Sequence, residues 1–378
     1  MNLPVLVGCA GNLPAHLRTV ANPAESGKGK IPAARPNAGR CRAIAGTGGR
    51  RYSPPLMPRP IEILLLLALP ASGKSEVRRY LAQLTPEQCR DEFNLGPTVQ
   101  LDDYPYVHMM RRVSQELRSR GADGIFFDSD ELPMKQPLDW GTLVELLNED
   151  LDDVVQHRRP APAAAAEWLL ERFDQARRRV GCPPELDVLP EPLRRELARA
   201  LEGEAAELLR AKNDGVPESL QGRTVVIEAA RGGPHGAVLP LPPPLGYRYT
   251  LSRFSDVILS KAAILYVWVT PEESRRKNRE RTDPNDPGSI LHHGVPMAVM
   301  MGDYGCDDME WLIQHSDQPD TVRIETRGRT FNLPIARFDN RVDKTTFVRA
   351  EPAAWQAGDV ASLHDGLAAA LGNLAARR

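Results

Sequence analysis

The chain has 378 residues, 42% hydrophobic and 26% charged, with a formal net charge of −2. That length and apolar content suffice for a substantial core and exclude disorder throughout, and the near-neutral balance argues against a mainly electrostatic nucleic-acid binder. The neutrality is a cancellation: residues 1–56 hold eight basic side chains (Arg18, Lys28, Lys30, Arg35, Arg40, Arg42, Arg50, Arg51) against the single acid Glu25, which leaves the remaining chain acidic.

Residues 1–56 are rich in Gly, Pro, Ala and Arg and have neither helical nor strand periodicity, so they read as a disordered leader. They lack the amphipathic Arg/Leu stripe of a transit peptide, and Met57, shortly before the first clear strand, is the expected start of the working protein. No run of 18 apolar residues occurs, so no membrane span is expected. Five cysteines (Cys9, Cys41, Cys89, Cys182, Cys306) are scattered without a CxxC pair, which predicts neither a disulfide framework nor a zinc site and fits a cytoplasmic setting.

The pattern changes at residue 61. Residues 61–68 form a nearly continuous apolar run, as a parallel strand covered on both faces requires. A glycine-containing turn follows, and Val77, Tyr80, Leu81 and Leu84 then repeat at helical spacing, with Thr85-Pro86 read as the stop. Between them, Ala68-Leu69-Pro70-Ala71-Ser72-Gly73-Lys74-Ser75 matches the phosphate-loop pattern with Ala at the first position, in the strand-to-helix context that motif needs. Backbone N–H groups at a helix start favour a polyphosphate; Lys74 supplies a cation for the outer phosphates and Ser75 a hydroxyl for Mg2+.

A second strand, residues 98–101, ends in Asp102-Asp103, and a helix is expected over 107–120. Three amphipathic helices follow, marked by Leu143 to Val155, Trp168 to Val180 and Leu193 to Leu209; residues 157–221 read as a helical insertion or cap on an α/β core. Val225-Val226-Ile227-Glu228, with Arg231 three residues on, and residues 263–269 are further apolar, β-branched strands. Thr270-Pro271-Glu272-Glu273 reads as a capping box opening a helix with Arg275, Arg276, Lys277, Arg279 and Arg281, and the turn formers 282–289 suggest a lid. Residues 321–325 and 333–338 supply late strands, the latter weakened by Pro334, and Asp339-Asn340 follows.

On these residues the chain resembles the P-loop kinases of the nucleotide- and small-molecule-kinase group, over about residues 61–345. The resemblance implies a three-layer P-loop NTPase core with a mostly parallel sheet plus the inserted cap: a first core part over 57–156, the insertion over 157–221, and a second core part with lid and terminal helix over 222–378. It implies ATP and Mg2+ as cofactors, with Ala68, Ser72, Gly73, Lys74, Ser75 and Asn340 on the nucleotide and Ser75 and Glu228 on the metal. Lys74, Asp102, Asp103, Arg275 and Arg279 then carry the transfer, a carboxylate addressing a hydroxyl acceptor and the arginines neutralising the phosphoryl group. The acceptor stays open between a nucleoside, a sugar, a nucleotide-sugar as in zeta-toxin-like kinases, and a nucleotide phosphate; Arg231, Arg248 or Arg253 near the site would favour the last. The expected partners are a nucleoside triphosphate and a small-molecule acceptor, with no nucleic acid and no membrane. The remaining alternatives are a regulatory ATPase or GTPase, faintly echoed by Asn340-Arg341-Val342-Asp343, and a structural α/β protein. Asp303, Asp307 and Asp308 read as a solvated loop or helix start, and His108, His235, His292, His293 and His315 as satisfied or surface histidines.

Overall fold

In the computed structural model, residues 60–280 and 294–377 are described; the leader expected at 1–56, Arg281 and the lid segment 282–289 lie outside them. In chain order the elements are β1 (Ile63–Leu67), α1 (Lys74–Leu81), α2 (Pro86–Phe93), β2 (Thr98–Asp102), α3 (Tyr104–Ser119), α4 (Asp139–Val155), α5 (Ala165–Val180), α6 (Glu191–Asp214), β3 (Thr224–Ala229), α7 (Gly246–Arg253), α8 (Asp256–Lys261), β4 (Ala262–Trp268), α9 (Pro271–Glu280), α10 (Met297–Gly302), α11 (Met309–Gln314), β5 (Thr321–Thr326), β6 (Arg329–Asp339) and α12 (Ala357–Ala375).

The strands make one six-stranded sheet ordered β2-β3-β1-β4-β6-β5, parallel except for the edge strand β5. Every residue of β1 is buried, because helices cover both faces. Ile63, Leu65 and Leu67 meet Val144, Leu147 and Leu151 of α4 and the apolar residues of α7. Leu64 and Leu66 point the other way, to Val77 and Tyr80 of α1 and to Leu363, Leu367 and Leu371 of α12. The result is a three-layer α/β arrangement. A further apolar cluster joins α5 and α6 to α3 and to Leu143 and Leu146 of α4, so α4 is shared between sheet and helical cluster.

Three local expectations are corrected. Thr85-Pro86 does not merely stop a helix: α1 ends at Leu81, and Thr85 caps α2 in a reciprocal capping box with Gln88, with Pro86 at the first helical position. The next helix begins at Tyr104 rather than 107, directly after β2, with Pro105 in its first turn. Pro334 does not end its strand. The first half of β6 pairs with β5 and the second half with β4, and Pro334, which has no N–H to give, stands at the handover. The two-residue turn Arg327-Gly328, both at positive φ, joins β5 to β6 as a tight hairpin.

Candidate functional site

The loop between β1 and α1 leaves the carboxyl end of a central strand. Ala71 and Gly73 both have positive φ, 54° and 105°. Gly73 is required twice over, since a Cβ there would also lie 2.5 Å from Thr345 Oγ1. Two straps brace the loop from behind: Ser274 Oγ of α9 donates to Pro70 O (2.7 Å), and Asn340 Nδ2 donates to Ser72 O (2.7 Å). Lys74 opens α1, and its Nζ donates to the loop carbonyls of Ala68 and Leu69, each at 3.2 Å. Ser72 Oγ is buried with no hydrogen-bond partner among the described residues. Ser75 follows, half-buried, at the helix start, where first-turn N–H groups have no intrahelical acceptor.

Beside the loop, β3 and β2 carry Glu228 and Asp102 directly opposite each other in register. Arg78, one turn after Lys74 on α1, bridges them: Nη1 lies 2.6 Å from Glu228 Oε2 and 3.1 Å from Asp102 Oδ2. Burial, reinforced by the nearby Glu228 carboxylate and opposed by Arg78, pushes the Asp102 carboxyl up to about 7. Asp103 pairs with Arg231 (2.5 Å), both almost enclosed, and the Arg231 guanidinium lies over the Trp140 ring at 5.1 Å. Burial raises the Asp103 carboxyl against the pull of Arg231, and the field of Lys74 also reaches it, which ties this pair to the loop.

Lys74, Ser75, Asp102, Asp103 and Glu228 are thus gathered at one end of the sheet. Asn340 is placed differently from its expected contact with a nucleotide. Its side chain is fully buried, gives Nδ2 to Ser72 O and Thr345 Oγ1 and accepts from Lys344 N, so its polar atoms are engaged within the protein as a brace. Arg275 pairs with Glu272 at 2.8 Å and keeps a buried Nη1 without a partner among the described residues. Arg279, on the same helix, is exposed. Arg248 is exposed on α7. Arg253 is spent on Glu145 and the Arg179 carbonyl. That pair lines a polar cavity of about 700 Å³ with Asn148, Tyr249, Asp256 and Arg327, at the amino ends of β4 and β6 and so at the opposite end of the sheet from the loop.

The acidic run after α10 does open a helix, since Asp308 stands at the start of α11, but it is not a solvated loop. Asp303 accepts from Met134 N, Asp307 from Tyr266 Oη and Met309 N, and the fully buried Asp308 from Tyr247 N and Arg248 N, capping α7 from a distance. Among the histidines, His108 meets Glu204 and His315 stacks on Trp311. Sequence reasoning missed Arg78, Trp140 and Ser274. Arg78 had a usable signal, since a residue four after Lys74 shares its helix face.

The donor set limits metal binding. Among the described residues no group of three or more His, Cys, Asp or Glu side chains is poised around one point. Ser75 with one carboxylate is a sparse, all-oxygen set, which suits a hard cation that keeps most of its water. Cys89, Cys182 and Cys306 are free thiols, and no described helix is long and apolar enough to cross a membrane. Compared with known proteins, the chain matches no protein-family model, no curated protein and no solved structure.

Proposed function

We propose that the protein is an ATP- and Mg2+-dependent phosphotransferase of the P-loop kinase type, acting on a small acceptor. One juxtaposition carries this reading: the loop 68–73 leaves β1 at the same end of the sheet where the next two strands present Glu228 and Asp102 in register. Open parallel sheets bind ligands beyond the carboxyl ends of their strands. The residues fit a polyphosphate: a helix start at Lys74, a left-handed Gly73, and the buried Ser72 Oγ awaiting a partner.

In this reading the loop N–H groups and Lys74 Nζ orient the triphosphate, Lys74 leaving the carbonyls of Ala68 and Leu69 for the outer phosphates. Ser75, and Glu228 through water, would hold Mg2+, which when bound neutralises charge on the phosphates. Asp102 takes the acceptor hydroxyl proton at Oδ2, whose link to Arg78 is the longer of the two that guanidinium makes. A carboxyl near 7 is well matched to that task, being largely ionised at slightly alkaline pH yet basic enough to accept a proton. Arg275 stabilises the transferring group with its unpartnered Nη1; it follows Ser274, which is bonded to the loop itself.

The test incubates the full chain with ATP–Mg2+ and pooled nucleosides, nucleotides and sugars, following ADP release beside Lys74→Ala. Release that depends on both acceptor and Lys74 is expected. Release unchanged by the substitution would end the reading.

A further inference from the structure

Arg231 is 2% exposed and uses only one corner of its guanidinium. Nη1 donates to Ala230 O (2.7 Å) and faces Asp103 Oδ2 (2.5 Å). Nε and Nη2, the two parallel donors of the opposite edge, are buried without a partner among the described residues. Asp103 at one corner and Trp140 against the guanidinium face hold its plane. Trp140 is itself held edge-on by Tyr304 at 5.6 Å, and a further guanidinium, Arg111, lies close enough to Asp303 to feel its charge. An Nε/Nη2 edge has the spacing to grip two oxygens of one carboxylate or phosphate, and charged donors left buried and unpaired are costly enough to call for a ligand.

We infer that the acceptor carries an oxyanion, seated on the Nε/Nη2 edge of Arg231 beside Asp103. The inference rests on the phosphotransferase reading and narrows its acceptor to anionic small molecules such as nucleoside monophosphates, sugar phosphates or sugar acids. Arg231 binds and orients the acceptor; it takes no part in moving the proton.

The experiment compares matched acceptors (nucleoside 5′-monophosphates against nucleosides, sugar phosphates and sugar acids against sugars) on the wild type and on Arg231→Lys, which keeps a cation against Asp103 but lacks the planar edge. Use of the anionic members is expected, with KM for the acceptor raised by roughly tenfold or more in the variant and KM for ATP unchanged. Phosphate-bearing against carboxylate-bearing acceptors then tells which oxyanion is taken. Equal use of neutral acceptors, or an acceptor KM untouched by Arg231→Lys, overturns the inference while Lys74-dependent turnover leaves the phosphotransferase reading standing. If turnover proves independent of Lys74, that reading falls instead, and thermal stabilisation by inorganic phosphate still decides the Arg231 edge: a larger shift for the wild type than for Arg231→Lys supports it, and equal shifts contradict it.

Discussion

On the loop side of the candidate site, residues 68–75 supply a strand end, a turn and a helix start in one uninterrupted stretch, whereas the carboxylate side gathers Arg78, Asp102, Asp103, Trp140, Glu228 and Arg231 from separated stretches of chain. The two sides also differ in how charge is handled. The loop's only charged side chain, Lys74, lies on backbone carbonyls, while across from it three carboxylates are tied to two guanidiniums. A local loop can keep its polar groups ready for a ligand; a site assembled from distant strands must hold its own charges together until a ligand arrives. Substitutions on the loop side should therefore cost function more than stability, and those on the carboxylate side should cost both.

The largest expected effect is that of Lys74→Ala, a loss of roughly 100- to 1,000-fold in turnover with little change in denaturant midpoint. A large stability loss with residual turnover would erase the contrast between the sides. Arg78→Ala comes next: it strips the shared partner from Asp102 and Glu228 and should cost about 2–3 kcal/mol in chemical denaturation, partly recovered by Arg78→Lys. Asp308→Ala, away from both sides, removes the cap on α7 and should cost about 1–2 kcal/mol without changing KM for ATP.

A smaller effect is pH-dependent. Burial pushes Asp303 and Asp307 up to about 6, so the folded state favours their protonated forms. Their stabilising contribution is complete below about pH 4, the unfolded range, and is lost as pH rises through 6. The melting temperature should therefore rise modestly between pH 7.5 and 5, and Asp307→Asn should flatten that slope; a slope of opposite sign in the wild type would contradict it. The smallest effect is expected for the exposed Arg279, whose replacement by Ala should change stability by less than about 0.5 kcal/mol.

What could be read from the chain beforehand follows the same division. The apolar run of β1, the turn at Gly73 and the helical spacing of Val77 and Tyr80 are local, and each announces itself within a few residues. Strand ends at Asp102 and Glu228 were equally visible, but their opposition depends on β3 inserting between β1 and β2 after a long, mostly helical stretch of chain, which no local pattern encodes. Asn340 shows the limit most clearly. Its place after a late strand suggested a nucleotide contact, yet the packing that brings it behind the loop turns its amide onto Ser72 and Thr345. Asp307 and Asp308 look like turn residues in sequence because acids favour turns; only the arrival of Tyr266, Tyr247 and Arg248 makes them acceptors within the fold.

The central claim is that the loop 68–75 is a nucleotide-phosphate site, and equilibrium binding of ATP–Mg2+ to the full chain tests it most directly. The account predicts saturable binding by the wild type, weakened on the order of 100-fold in Lys74→Ala as a buried charge-assisted contact to phosphate is lost. No binding by the wild type, or the same affinity in both proteins, would contradict it.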